Sequence, residues 1–127
     1  MKSPAIFAAL LLSTFAPAAE KAVTHLDAPA ARKLLAADQK KPAAEQVTIL
    51  DLRTPEEFKE GHLKGARNID FLGDDFEKEL AKLDRKKTYL VHCQSGGRSS
   101  MALETFQKLG FQHLIHLDGG YAEWDGQ

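Results

Sequence analysis

The stretch VTILDLR, residues 47–53, constrains the fold more than any other part of this chain. It is a nearly continuous apolar run containing β-branched residues. Such a run suits a strand buried on both faces, as in a parallel sheet covered by helices on either side. The next residues fit that arrangement. In TPEEFKEGH, Thr54 stands at an N-cap, Pro55 at the first helical position and Glu57 where it completes a capping box, with Gly61 as the stop. A strand that feeds at once into a helix is the repeating unit of an α/β fold.

The alternation recurs along the chain. KAVTHL, residues 21–26, is a strand candidate before the helix DAPAARKLLAADQK, which has Asp27 as N-cap and Pro29 in its first turn. KPAAEQ is a polar linker to VTILDLR. GARNID is a third strand candidate, and DDFEKELAKLDR sets Phe76, Leu80 and Leu83 on one helical face. TYLVHC is a fourth strand. RSSMALETFQKLG then reads as a helix whose Met101, Leu103, Phe106 and Leu109 form a broad apolar stripe closed by Gly110. QHLIHLDGG supplies a fifth strand and a turn, and YAEW starts a short last helix. The economical architecture is a parallel sheet covered on both faces, with ligands beyond the carboxyl ends of the strands.

Before residue 19 the pattern changes. Lys2, an apolar run from Ala5 to Phe15 and the small-residue end APAAE read as a secretory signal, with Ala16 and Ala18 placing cleavage after Ala18. The apolar run is eleven residues long, whereas a membrane-spanning helix needs about twenty, and no cysteine follows it to accept a lipid. The expectation is a signal at 1–18 and one domain at 19–127, exported to a bacterial periplasm without a membrane anchor. Without the signal, 16 basic residues stand against 18 acidic ones, and the longest basic run, residues 85–87, directly follows Asp84. That balance offers no nucleic-acid surface. A monomer is expected.

The chain has a single cysteine, Cys93, at the end of the fourth strand. It can bridge to nothing within its own chain, so packing must stabilise the domain. A buried inert Cys is one reading, but a lone thiol in an oxidising compartment is a liability unless it has a task. The following residues favour a task. In CQSGGRS, Gly96 and Gly97 allow positive φ and clear side chains from the inside of a turn, so that N–H groups can converge on the sulfur. A helix starting near Arg98 aims its positive end there, and Arg98 adds a charge. This environment favours the thiolate, a nucleophile, and would hold an anionic atom attached to it. Only Gln94, Ser95, Gly96 and Gly97 separate Cys93 from Arg98. A phosphate cradle needs a longer loop; this tighter one suits a single sulfur atom.

Three stretches carry a resemblance: LDLRTPEEFKEGHLKGARNID (residues 50–70), YLVHCQSGGRSSMALETFQKLGF (89–111) and LDGGYAEW (117–124). In this order they make the chain resemble a single-domain rhodanese, a sulfurtransferase, with a motif-bearing core at 47–127. The resemblance implies a rhodanese-like α/β fold with a five-stranded parallel sheet flanked by helices on both faces. It implies a catalytic Cys93 that takes sulfane sulfur from thiosulfate or a similar donor and passes it, as a persulfide, to cyanide or a thiol. Gln94, Ser95, Gly96, Gly97, Arg98 and Ser99 would bind the substrate, with Asp51 and Arg53 in support and no metal or organic cofactor. With no resolving cysteine, the acceptor must come from outside the chain. Two other functions stay open: a non-catalytic rhodanese-like binding module, and a small Cys-dependent phosphatase or arsenate reductase.

The remaining polar residues have plainer expectations. Asp51 and Arg53 lie two apart at a strand end and lean the same way, which suits an ion pair; Arg53 could also pair with Glu57. Arg98 can hold an anionic donor and can brace the loop against Asp51 or another acid; the two roles are not exclusive. Ser95 and Ser99 can offer hydroxyls to the cradle. His62 is expected to hydrogen-bond the backbone at a helix end, and His92 to point to the sheet face opposite Cys93. His113 and His116, three apart in a strand, face opposite sides and suggest no metal site. Tyr121 and Trp124 read as aromatic plugs on the sheet edge.

Overall fold

The computed structural model describes residues 22–124; the signal expected at 1–18 lies outside them. Within them run β1 (Thr24–Leu26), α1 (Ala28–Asp38), a 3-10 turn (Ala43–Glu45), β2 (Thr48–Asp51), α2 (Pro55–Glu60), β3 (Arg67–Asn68), α3 (Phe76–Ala81), β4 (Tyr89–His92), α4 (Gly97–Lys108), β5 (Leu114–Leu117) and α5 (Gly120–Trp124). The strands form one parallel sheet in the order β1-β5-β4-β2-β3. This is the α/β architecture that the alternation implies. Among the described residues, no helix is long and apolar enough to cross a membrane.

Alternating side chains of the sheet feed two cores. Leu50, Tyr89, Val91 and Leu114 pack with Phe76 and Leu80 of α3 and Ala102 and Phe106 of α4. Ile49, Leu90, Ile115 and Leu117 pack on the other face with Ala31 of α1, and Tyr121 and Trp124 of α5 lie against them. Phe106 meets Phe76 and Phe111 edge to face. Burying one such ring is worth about 1.5–3 kcal/mol, so the central strands are held from both sides by ordinary apolar packing.

The caps act as read. Asp27 accepts from the Ala30 amide at 3.0 Å, and Thr54 and Glu57 form the capping box of α2. The stripe on α4 is rotated from the expected one. Ala102 and Phe106 are buried, Leu103 and Leu109 are partly buried, and Met101 is 64% exposed. Met101 precedes Phe106 by five residues, which places it about 140° around the helix from that ring. Ser99 takes the inward place that a sequence stripe of large residues overlooks.

The register then sets the site. Asp51 of β2 pairs with His92 of β4, and Val91 of β4 with His116 of β5. The carboxyl ends of the three inner strands therefore bring their polar residues to one level, just below the turn that contains Cys93.

Candidate active site

Cys93 follows β4, and the chain turns back over it into α4. Gly96 has φ +103°, a left-handed conformation that favours glycine, and a Cβ there would collide with the Asp118 carbonyl oxygen. Gly97 is different. It opens α4, its φ is not among the positive ones, and a Cβ on it would meet open space. The expectation of positive φ at both glycines is therefore corrected, because the helix starts one residue ahead of Arg98.

The turn closes on the sulfur. The Gly96 amide lies 3.2 Å from Cys93 Sγ, the Ser99 amide 3.4 Å and the Ser99 hydroxyl 3.3 Å. Cys93 is only 1% exposed. Burial pushes the thiol up, but the Ser99 hydroxyl and the amides of Ser99, Gly96 and Ser95 outweigh it and hold the Cys93 thiol below its ordinary value. The sulfur thus sits inside a ring of donors rather than in an apolar pocket.

Neither arginine enters that ring. Arg98 grips Glu57 with both ends of its fork, Nη1 to Oε1 at 2.9 Å and Nη2 to Oε2 at 3.1 Å. Its hydrogen bonds, against some burial, bring the Glu57 carboxyl down to about 2. Arg53 docks on Asp51, Nε to Oδ1 at 2.9 Å and Nη2 to Oδ2 at 2.7 Å. It also donates to Gly61 O and Gln94 Oε1, and Tyr121 stacks on its guanidinium at 4.2 Å. Arg53, Glu57, Glu60, Gly61, Gln94 and Tyr121 line a depression of about 500 Å³ beside the turn.

A parallel five-stranded sheet with a cysteine turn between its central strand and the next helix narrows the choice of families, and comparison with known proteins decides it. Residues 31–127 match the family described as Rhodanese-like domain. The chain belongs to the rhodanese family. It is 36% identical over 89 residues to the putative sulfur carrier protein YrkF of Bacillus subtilis, covering 70% of this chain and 47% of that one, so it spans about half the length of that relative. It is 35% identical over 85 residues to thiosulfate sulfurtransferase 16, chloroplastic, of Arabidopsis thaliana, covering 59% of this chain and 71% of that protein. The crystal structure of a rhodanese-related protein from Thermoplasma volcanium matches with a TM-score of 0.65 and 27% identity, over 80% of this chain and 89% of that one.

In this rhodanese domain the loop residues divide by task. Gly96 and Ser99 touch the sulfur, and Ser95 contributes its amide. The Gln94 carbonyl anchors α5 by accepting from the Ala122 amide at 2.8 Å. Arg98 braces the loop, with Glu57 and not Asp51 as its acid. The pairing of Arg53 with Glu57 is corrected: the capping box turns the Glu57 carboxylate back toward Thr54, where Arg98 reaches it, while Arg53 is fixed on Asp51. Tyr121 and Trp124 pack against the apolar core on this face; Tyr121 also covers Arg53, and Trp124 packs on Arg32 of α1. His62 takes the expected backbone role: its Nδ1 donates to Phe58 O at 2.8 Å, with its ring stacked on Phe58.

The histidines hold what the sequence reading missed. His92 faces away from the sulfur. Its Nδ1 donates to Cys93 O at 2.9 Å, its Nε2 has no hydrogen-bond partner, and burial pushes its pKa down, which keeps the ring neutral. His113 is exposed. His116 is buried against Ser99: its Nε2 lies 2.7 Å from Ser99 Oγ, and its Nδ1 lies 2.7 Å from Asp118 Oδ1, which also meets His25 Nδ1 at 2.7 Å. The donor atoms of His25, His116 and Asp118 lie within 4.8 Å of one another, and the pairs at 2.7 Å are spaced as hydrogen bonds. The available signal was parity. Cys93 continues the face of Val91, and Val91 is in register with His116, but that needs the strand order.

Proposed function

We propose that this rhodanese domain is an exported, periplasmic sulfurtransferase that moves sulfane sulfur through a Cys93 persulfide and works as a monomer. The supporting observation is the convergence of two amides and a hydroxyl within 3.4 Å of Cys93 Sγ. Such donors favour the thiolate before transfer and the anionic outer sulfur after it. In the first half-reaction the Cys93 thiolate attacks the outer sulfur of thiosulfate. A new S–S bond forms, the donor S–S bond breaks, and sulfite leaves with the electron pair. In the second, a thiolate or cyanide attacks the outer sulfur and Cys93 leaves as thiolate. No outside oxidant is needed. The chain's similarity to a putative sulfur carrier and a thiosulfate sulfurtransferase supports a small sulfur donor and a sulfur acceptor as partners, and we assign a thiol as that acceptor.

Intact-mass measurement tests the reading. After incubation with thiosulfate, wild type gains one sulfur and forms thiocyanate on adding cyanide, whereas Cys93→Ser does neither. Wild type that gains nothing from thiosulfate, a mercapto-acid or a polysulfide overturns it. Export predicts a periplasmic protein starting at Ala19. The burial of Cys93 favours a second reading, a recognition module, which predicts a partner retained equally by wild type and Cys93→Ala with no sulfur transfer by either. A phosphatase has less support, since Arg98 is occupied by Glu57.

A further inference from the structure

The directions of the hydrogen bonds from Cys93 to Asp118 follow from one acceptor. An ionised carboxylate only accepts, and burial of Asp118 is outweighed by its hydrogen bonds to His116 and His25, which hold its carboxyl below the ordinary value. His116 Nδ1 must therefore carry the hydrogen that meets Asp118 Oδ1 at 2.7 Å. In the neutral ring this leaves a lone pair on Nε2, which can only accept from the Ser99 hydroxyl at 2.7 Å. The Ser99 oxygen is then free to accept from the Cys93 thiol at 3.3 Å. Reversing both bonds gives the other satisfied state, with Nε2–H donating to Ser99 Oγ and the Ser99 hydroxyl donating to a thiolate.

We propose that His116, acting through Ser99, is the proton acceptor for the Cys93 thiol, with Asp118 and His25 holding its ring. The Cys93 S–H bond breaks as its proton passes to Ser99 Oγ, and the Ser99 O–H proton passes to His116 Nε2. The net change is one proton moved from sulfur to imidazole, with no change of oxidation state. Asp118 steadies the imidazolium, and its half-exposed side chain and that of His25 connect the chain of bonds to water. His116 is a positioning residue, since it acts through Ser99. The groups that face it are His25 from β1, Cys93 after β4, Ser99 from α4 and Asp118 beyond β5, and His92 acts on it from the other face of the sheet. Arg98 acts on the sulfur through its charge, and Asp51 and Arg53, beyond His92, answer each other.

This rests on Cys93 being the sulfur-accepting nucleophile, but the proton transfer is measurable without any sulfur donor. The test is the pH dependence of Cys93 alkylation by iodoacetamide, with sulfur uptake from thiosulfate weighed in parallel. In His116→Gln the midpoint should rise by about one pH unit, a tenfold loss of alkylation rate below both midpoints. Asp118→Asn should move it the same way by less. Because the bonds act in series, His116→Gln should add nothing in a Ser99→Ala background. Midpoints that do not move in His116→Gln and Asp118→Asn overturn the proposal, as does an effect of His116→Gln undiminished without the Ser99 hydroxyl. If His116→Gln does not fold, Asp118→Asn decides alone. Shifted midpoints in a protein that takes up no sulfur would keep this proton path and remove the sulfurtransferase reading; flat midpoints in a protein that loads sulfur would do the reverse.

Discussion

The two faces of the sheet carry polar networks of opposite character at the carboxyl end of β4. On the α5 face, Asp51 and Arg53 are both buried and locked together by two short hydrogen bonds, and further donations to Gly61 O and Gln94 Oε1 engage all three guanidinium nitrogens. On the α4 face, the bonds run from the buried Cys93 through Ser99 and His116 to half-exposed Asp118 and His25. The first network is closed and holds the turn from below. The second is made of groups that exchange protons, and it ends at water. The peptide from His92 to Gln94 belongs to both, so rigidity and chemistry are assigned to different sides of one strand.

If the α5 face is the clamp, removing one of its charges should cost the most. Arg53→Ala leaves the buried Asp51 carboxylate without its counter-charge, keeping only the amide of residue 53 as a donor, and we expect about 3–5 kcal/mol lost in denaturant unfolding. Replacing both residues by apolar ones of similar size should recover most of that. Unfolding free energies unchanged in Arg53→Ala would show that the pair is not the clamp. By contrast, Asp118→Asn, half-exposed on the other face, should cost about 1 kcal/mol or less.

The turn between the faces gives the next effect. Gly96→Ala forces a side chain into a left-handed backbone and against the Asp118 carbonyl, and strain of this kind costs about 1–3 kcal/mol. As Gly96 N is a donor to the sulfur, sulfur uptake should fall along with thermal stability. Gly97→Ala, in helical conformation with open space, should be neutral or stabilising by about 0.4–1 kcal/mol. Equal losses at both positions would mean that the turn, rather than Gly96 alone, is fixed.

How far each face could be read from sequence follows from the range of its interactions. The α2 capping box, the Asp27 cap and the Asp51–Arg53 pair join residues two or three apart, and local patterning is enough to see them. The position of Cys93 before a glycine turn is local as well. The Arg98–Glu57 pair spans 41 residues, and the His25–Asp118 contact spans 93. The first depends on β4 lying beside β2 and the second on β5 lying between β1 and β4, an order that alternation of strands and helices leaves undetermined. A sequence reading weighs His116 against His113, its neighbour along the chain, whereas its partner in space is Ser99 at the start of α4. Met101 was misplaced for a smaller reason: a large apolar residue attracts assignment to the stripe, although the inward place belongs to small Ser99 and Ala102.

The smallest effect concerns Glu57, whose ion pair with Arg98 ties α2 to α4. The folded carboxyl lies at about 2 against an ordinary 4.5, so its contribution is complete above about pH 4.5 and is lost as pH falls toward 2. Both side chains are partly exposed, 32% and 25%, and solvent screening limits the contribution to about 1 kcal/mol or less. Glu57→Gln isolates it, because glutamine at this position keeps the capping box while losing the charge. The stability difference between wild type and Glu57→Gln should be constant from pH 5 to neutrality, shrink at high salt and close as pH approaches 2. A difference that survived to pH 2, where much of the carboxyl is protonated, would show that the Glu57 charge is not its source and that the ion pair with Arg98 does not brace the turn.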